Sequence, residues 1–314
     1  MLNRRHIRVK VMQLLYAYDE GEGGNLEKEE KFLTKSTEGM YDLYLLMLSL
    51  MAEVQVKAED YLTKKKQKHL ATEEEKNPNK KFINNEVILL LKRNTSLDEA
   101  LEKRKLTNWK LDDEYVDVIF KSLRKSDIYE TYMSTRATNF NEDREFAINF
   151  FKHIIAPNDK LYDYLEDKNI TWLDDLPVVN TNILKLLRKV KPNSNEQHFL
   201  PKLYKDLDDK EFATNLLKKT ILNLNSFSEE VYNKTANWDK DRIANLDLIL
   251  LQMAICEFRK FPSIPVKVTI NEYLEIAKEY STPKSSIFIN GILDKLVKEY
   301  SDKGTLNKSG RGLL

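Results

Sequence analysis

The hydrophobic and polar positions of this chain repeat with a helical period along most of its length. Near the start, apolar residues recur every three or four positions from Ile7 to Tyr18, which places one stripe of a helix against a core. Near the end, a step of about 100° per residue groups a second apolar stripe on one face. This stripe consists of Ile289, Ile292, Leu293, Leu296 and Tyr300. Both ends of the chain are therefore predicted to be amphipathic helices.

Similar patterns between these ends predict an all-α protein. The predicted helices cover residues 3–19, 26–36, 38–68, 84–92, 96–106, 112–133, 143–156, 159–167, 178–190, 198–206, 209–232, 239–259, 266–280 and 285–300. Only 8 Gly and 8 Pro occur in 314 residues, which disfavours a β-sandwich and favours helices joined by short polar turns. The segment after Gly304 lacks periodicity and is expected to fray.

One aromatic residue of the last helix falls outside the predicted core face. Phe288 projects on the side that carries Lys295 and Lys298. A ring beside two cations can stack on a nucleic-acid base while the cations hold phosphate. A ring in this position can also pack beneath a neighbouring loop, and the helix alone leaves both readings open. Gly291, on the same helix, is expected at a close helix–helix crossing, where glycine removes bulk.

The first helix carries its polar residues opposite the apolar stripe. Arg5, Gln13 and Tyr16 point away from that stripe, and Arg4 and Arg8 lie at its margin. Cations followed by an amide and a phenol suit a single-stranded polynucleotide. The alternative is that this face of the helix is exposed to solvent and binds no ligand. Because the net charge is only +1, any affinity for nucleic acid must come from local patches such as this one.

The middle of the chain contains a partial internal repeat. Residues 143–187 align with residues 209–253 without a gap, with 12 identities in 45 positions. Trp172 matches Trp238, and we interpret both as core anchors rather than as a pair that stacks on bases. Since only the second copy continues into the segment that carries Phe288, we expect the first copy to be a helical hairpin without the site.

Motifs of enzymes and of membrane proteins are missing from the sequence. It has no glycine-rich phosphate loop, no CxxC pair and no HExxH motif, so we expect no enzyme activity, metal or cofactor. Cys256 is the only cysteine, which fits a buried thiol in a cytoplasmic protein. The longest apolar run, Leu43 to Met51, is too short to span a bilayer, and we expect no membrane partner.

Two groups of motifs resemble the NusB family of transcription antitermination factors. The N-terminal group is Arg4-Arg5-x-x-Arg8 followed by Gln13-x-Leu15-Tyr16. The C-terminal group is Ile264-Pro265-Val266, Ile270-Asn271-Glu272, Ala277-Lys278 and the run from Phe288 to Asp294. The resemblance implies a NusB-like helical bundle made of residues 1–36 and 207–302, enlarged by an inserted helical region at 37–206 and followed by a tail at 303–314.

The resemblance also implies a function and partners. It implies binding to the single-stranded boxA element of a ribosomal RNA leader, together with the ribosomal protein that serves as NusE. Other Nus factors and RNA polymerase would complete the assembly. The positions that match the RNA-binding residues of the family are Arg4, Arg5, Arg8 and Phe288, with Gln13, Tyr16, Ser286 and Asn290 as weaker matches. Asp247 matches an acidic position that faces NusE.

Two positions of the last helix and the turn before it depart from the pattern of the family. Ile287 stands where a basic residue is common, and Lys284 stands where an acidic one is common.

Two alternative functions are a helical interaction scaffold without RNA binding and the RNA-binding module of a ribosomal RNA methyltransferase. The second alternative is disfavoured because no cofactor-binding βαβ pattern follows the last helix. The inserted region can extend the RNA surface, block self-association or replace a contact made by another factor.

Overall fold

The protein is described from a computed structural model that covers residues 1–20, 25–69, 72–235 and 243–313. Within these ranges the chain forms helices and no strand, so the expectation of an all-α protein is confirmed. No helix in the described ranges has both the length and the apolar character needed to cross a bilayer. The chain divides into unit 1, residues 1–37 with 203–314, and unit 2, residues 38–202.

Unit 1 is built around a helix that is apolar on nearly all sides. Its helices are α1 (Arg4–Glu20), the start of α2 (Leu26–Lys66), α12 (Leu207–Ile221), α13 (Leu224–Lys234), α14 (Asn245–Lys260), α15 (Val266–Tyr280) and α16 (Ser285–Asp302). Helix α14 is buried along most of its length, as expected for a helix surrounded by others. It packs against α1, α12, α13, α15 and α16. Cys256 lies on α14, and burial raises the pKa of its thiol to about 12.

Unit 2 is built around the second half of α2. Its other helices are α3 (Glu73–Lys76), α4 (Glu86–Lys92), α5 (Thr95–Lys103), α6 (Asn108–Leu111), α7 (Asp113–Arg124), α8 (Asp127–Met133), α9 (Phe140–Phe150), α10 (Asp159–Lys168) and α11 (Leu176–Lys189). The apolar run from Leu43 to Met51 is buried throughout. The indole of Trp109 donates a hydrogen bond to the Leu46 carbonyl of this run at 3.0 Å. The run is therefore the centre of a core.

The two copies of the internal repeat have the same order of elements. Residues 143–187 contain most of α9, a π-helical turn at Phe151–Ile155, α10 and most of α11, while residues 209–253 contain most of α12, all of α13 and part of α14. Phe146 and its counterpart Phe212 are both buried. Trp172 is buried and donates to the Gly39 carbonyl at 2.8 Å, as a core anchor should, whereas Trp238 lies outside the described residues. The duplication itself stays a hypothesis.

Several predicted helix boundaries differ from those of the structure. The helices predicted at 26–36 and 38–68 are one continuous helix, α2. The hydroxyl of Thr37 donates to the Leu33 carbonyl within this helix, so the polar Ser36-Thr37 pair does not interrupt it. The helix predicted at 112–133 is split, because Ser126 caps a new helix by accepting from the Tyr129 amide.

Two further predicted helices also differ. The helix predicted at 209–232 divides at Asn223 into α12 and α13. The helix predicted at 198–206 is a short 3₁₀ turn at Glu196–Phe199, since Pro201 restricts the residue before it to extended backbone.

The C-terminal tail does not fray, contrary to expectation. The ammonium of Lys308 donates to the backbone carbonyls of Glu257 and Phe261 at 3.0 Å each, closing the end of α14. Gly312 is buried, and a Cβ atom there would lie 1.9 Å from the carbonyl oxygen of Pro262. The tail is thus held against the end of α14 by a contact that only glycine permits.

Candidate nucleic-acid interface

Helix α1 is fixed at its start and buried along one side. The side chain of Asn3 accepts a hydrogen bond from the His6 amide at 3.0 Å and so caps the helix. Ile7 and Val11 are fully buried, which confirms the predicted apolar stripe. This orientation determines where the three arginines of the helix point.

Arg8 does not lie at an exposed margin. Its side chain is 2% exposed, and its guanidinium contacts both carboxylate oxygens of Glu257, at 2.7 and 2.9 Å. Burial by itself lowers the pKa of Arg8, but the charge and hydrogen bonds of Glu257 raise it above its usual value. The expectation that Arg8 contacts RNA does not fit this geometry, because the guanidinium is inside unit 1 and already paired.

Arg4 and Arg5 are partly exposed and also paired. Both Nε and Nη2 of Arg5 donate to the carboxylate of Glu272 at 2.9 Å, and the side chain is 41% exposed. Arg4 donates to Asp209 at 2.7 Å and is 39% exposed. Part of each guanidinium side chain therefore stays exposed to solvent, while a carboxylate fixes its position on the surface.

The carboxylate of Glu272 links Arg5 to the buried arginine. One of its oxygens also lies 3.6 Å from Nη1 of Arg8. Burial acts to raise the pKa of Glu272, but the hydrogen bond from Arg5 and the charges of both arginines lower it overall. Glu272 is therefore charged at neutral pH and holds Arg5 over the junction of α1 and α15.

Gln13 and Tyr16 line an open groove of about 670 Å³. Tyr16 is 44% exposed. Other residues that line the groove are Tyr280, Ser281 and Thr282, at the end of α15 and directly after it, and Asn245 and Leu246 at the start of α14. The groove offers a phenol, hydroxyls and amides, which can hydrogen-bond nucleotide bases or a peptide backbone.

Asp247 lies beneath the turn that joins α15 to α16. Its two carboxylate oxygens accept hydrogen bonds from the hydroxyls of Ser281 and Ser285, at 2.6 and 2.8 Å. Because Asp247 is only 6% exposed, the expectation that its carboxylate faces a protein partner does not fit its position. Its direct effect is to fix the turn, and with it the start of α16.

Helix α16 presents an exposed face beside its buried stripe. All five residues predicted to form the core face are buried. Phe288 is half-buried, and Ile287 is 75% exposed. The exposed lysines on this side are Lys284, Lys295 and Lys298. None of the three forms an ion pair with a described residue, so the face combines a ring, an aliphatic side chain and available cations.

The remaining predicted residues of α16 lie on or next to this face. Ser286 and Asn290 are half-buried, and the amide of Asn290 donates to Asp294 at 3.1 Å. Gly291 is exposed, and a Cβ atom added there would meet no atom within 4 Å. The expectation of a close helix crossing at Gly291 is therefore wrong, and the glycine instead leaves the helix backbone open to solvent.

The sequence alone does not identify the carboxylates that pair with the arginines. Glu257 lies in an otherwise apolar stretch of α14. A charged residue on a helix with apolar residues all round signals a buried and paired charge. Thr269 and Tyr273 of α15 also donate to its carboxylate, at 3.0 and 2.8 Å. The hydroxyls of Ser281 and Ser285 were missed as well, because only the folded chain brings them to Asp247.

The chain matches a known family over its C-terminal part. A model of the NusB family matches residues 182–298. The chain is 41% identical over 112 residues to the transcription antitermination protein NusB of Salinibacter ruber, covering 36% of this chain and 70% of that protein. It is 39% identical over 129 residues to the protein of the same name from Chloroherpeton thalassium, covering 41% of this chain and 61% of that protein.

A third relative agrees with these two. The transcription antitermination protein NusB of Finegoldia magna is 43% identical over 91 residues, which cover 29% of this chain and 66% of that protein. No solved structure matches the chain. The matched segment includes α14, α15 and most of α16, the helices that carry Glu257, Glu272 and Phe288. On this match the chain belongs to the NusB family.

Proposed function

We propose that this protein is a transcription antitermination factor that binds boxA-type RNA of a ribosomal RNA leader together with NusE. The names of the relatives support the antitermination role. In this proposal the complex joins other Nus factors on RNA polymerase in the cytoplasm, and unit 1 provides the contacts to RNA and to NusE. The chemistry is binding, and no catalytic step is assigned to it.

The exposed face of α16 is the observation that carries the proposal. Phe288 and Lys295 lie on the same side of α16, and the opposite side of the helix is buried. Stacking on an aromatic ring holds a base of any identity, and neighbouring lysines neutralise the phosphates. The two departures from the family partly compensate on this face, because Lys284 supplies a cation one turn before the position where Ile287 lacks one.

The groove beside α1 supports a second set of contacts. Tyr16 and Gln13 line it together with Ser281 and Thr282, and these polar side chains suit the hydrogen-bonding edges of unpaired bases. Arg5 and Arg4 add positive charge on the same helix through their exposed sides. We leave Arg8 out of the contact set. Asp247 supports NusE binding by holding the turn before α16, rather than by presenting its carboxylate.

One observation favours a scaffold that does not bind RNA. All three arginines of the N-terminal motif are paired with carboxylates of the protein itself. Their charges are thus partly neutralised before any ligand arrives, which weakens attraction of phosphate. The scaffold needs the fold and the protein partner, and it does not need the cations of α16.

Capture from a native lysate distinguishes these functions. The tagged full-length chain should recover NusE together with fragments of the ribosomal RNA leader. Phe288→Ala serves as the matched variant, and it should recover NusE with less RNA. Recovery of NusE without RNA by the unaltered protein would favour the scaffold, and recovery of neither would contradict the proposal. With purified components, NusE should raise the affinity for boxA RNA, because a shared surface lets each partner reduce the other's cost of ordering, and boxA RNA should raise the affinity for NusE by the same factor.

A further inference from the structure

We infer that unit 2 contains a second anion-binding site, a groove lined by cations that binds the phosphodiester backbone of single-stranded RNA. The groove has a volume of about 770 Å³ and lies between the end of α2, the loop at 77–83 and Arg136. Among the described residues that line it, the cations are Lys66, Lys76, Lys80 and Arg136, and the carboxylate is Glu59. We call this surface the cationic groove. It goes beyond the proposed function, which concerns unit 1 alone.

Most of the carboxylates near the cationic groove are already occupied. Glu59 pairs with Lys92 at 2.7 Å, outside the groove lining. Glu73 pairs with Lys76 at 2.8 Å, and Glu75 takes Lys68 at 3.2 Å and Lys65 at 3.8 Å. The local acidic residues therefore leave some of the cations without a counter-charge.

Three cations of the groove are available to a ligand. Lys66, Lys80 and Arg136 are exposed, and none of them lies within 4 Å of a carboxylate in the described part of the chain. Arg136 donates one hydrogen bond, from Nη2 to the Asn77 carbonyl at 3.1 Å, which leaves its other donors free. Three positive charges around one concavity attract a polyanion.

The groove is a fixed shape, because hydrogen bonds hold its loop from both sides. The amide of Asn79 donates to the carbonyls of Met133 and Thr135, at 2.8 and 2.9 Å. Gln55 of α2 donates to the Ile83 carbonyl at 2.8 Å. The loop that carries Lys80 is thereby tied to α2 on one side and to the segment before Arg136 on the other.

The composition of the groove favours a phosphate backbone over bases or a protein. No aromatic side chain is found among the described residues that line it, so it provides no platform for base stacking. Its apolar lining residues, Leu62, Pro78 and Ile83, are half-buried, which gives a protein partner little to anchor on. Binding should therefore be insensitive to base sequence and sensitive to salt.

Binding of a fluorescent oligouridylate of 15 nucleotides tests the inference. The experiment uses the full chain with Arg5→Ala and Phe288→Ala, so that unit 1 does not dominate the signal. Lys66→Gln, Lys80→Gln and Arg136→Gln together should weaken binding about tenfold at low salt and flatten the salt dependence by a slope of about 2, at 0.7 per phosphate. Hydrogen exchange should show protection by the oligonucleotide at residues 62–67 and 77–83.

A matched variant controls for total charge. Lys103→Gln, Lys121→Gln and Arg188→Gln remove the same charge from exposed positions of unit 2 that do not line the groove, and they should leave the salt dependence unchanged. Equal losses in the two triple variants would overturn the inference, as would an unaltered affinity in the groove variant. Equal competition by polyglutamate or by vesicles of anionic lipid would also overturn it, since the ligand would then not be a phosphodiester chain.

The two proposals fail separately. Neither proposal requires the groove variant to lose boxA binding when unit 1 is unaltered. If the groove inference is wrong, substitution of the groove cations leaves the affinity for the oligouridylate unchanged, while boxA binding still depends on Phe288. If the proposed function is wrong, Phe288→Ala leaves the affinity for boxA RNA unchanged, while the groove still binds the oligouridylate.

Discussion

Arg8 of α1 and Glu257 of α14 form a two-pronged ion pair inside unit 1, although 249 residues separate them in the chain. Both side chains are almost completely buried. Thr269 and Tyr273 complete the hydrogen bonds of the carboxylate. The pair joins the N-terminal helix to the C-terminal helices. Arg8, which the sequence motif suggested as an RNA-binding residue, therefore stabilises the fold of unit 1.

Loss of Arg8 should destabilise the protein and leave RNA binding intact. Arg8→Met leaves the carboxylate of Glu257 buried without its partner, which costs about 3–5 kcal/mol of unfolding free energy. Urea unfolding followed by circular dichroism measures this loss. Adding Glu257→Gln should restore more than half of it, because the isolated buried charge is then removed. A loss of under about 1 kcal/mol in the single variant would show that the pair is not structural.

His6 should make unit 1 less stable as the pH falls below neutrality. Burial and the charges of Arg5 and Lys10 lower the pKa of His6 from 6.5 to about 4, and its Nδ1 atom has no hydrogen-bond partner among the residues that the structure describes. The unfolded chain binds the proton more tightly, so stability is lost as the pH falls through 6.5 towards 4. Allowing for partial exposure, we expect a loss of about 1–2 kcal/mol between pH 7 and pH 5.

His6→Gln removes the titrating group and should flatten this part of the pH profile. The control is His153→Gln in unit 2, where the histidine is exposed and the substitution should leave the profile unchanged. An identical fall in stability in His6→Gln and the unaltered protein would exclude His6 as the cause.

Two glycine substitutions should have opposite effects. Gly291→Ala meets open space and should raise helix stability by about 0.5–1 kcal/mol, as alanine does in a helix interior. The same methyl group should weaken boxA binding, because Gly291 is exposed about one turn after Phe288, beside the face of α16 to which we assign RNA binding. Gly312→Ala collides with the Pro262 carbonyl and should lower the melting temperature with no effect on RNA. A more stable Gly291→Ala protein with unaltered RNA affinity would place the interface elsewhere.

The sequence predicts features that depend on one helix and misses those that depend on two. The stripe from Ile289 to Tyr300 is buried as predicted, and Phe288 lies off it, because helical geometry alone sets these directions. The pairing of Arg8 with Glu257 is invisible to the same reasoning, since the angle of a side chain does not say which helix will cover it. Gly291 was misjudged for this reason.

Helix boundaries show the same limit. Ser126 starts a new helix by capping it, while the similar pair Ser36-Thr37 leaves α2 unbroken. The polar side chains in the two places are alike, and the difference is whether the backbone turns to meet another part of the core. That turn is determined by tertiary packing, which a local pattern does not contain.

The RNA-binding role of Phe288 is the central claim, and a paired substitution on α16 tests it most directly. Anisotropy titrations with boxA RNA, corrected for the folded fraction by circular dichroism, compare Phe288→Ala with Ile292→Ala. Phe288→Ala should weaken binding by about 1–3 kcal/mol and destabilise less than its partner. Ile292 is 4% exposed, and its substitution should cost about 2–4 kcal/mol of stability with unaltered affinity in the folded fraction. If Phe288→Ala instead unfolds the protein while each folded molecule binds RNA as before, the ring belongs to the core and the claim is contradicted.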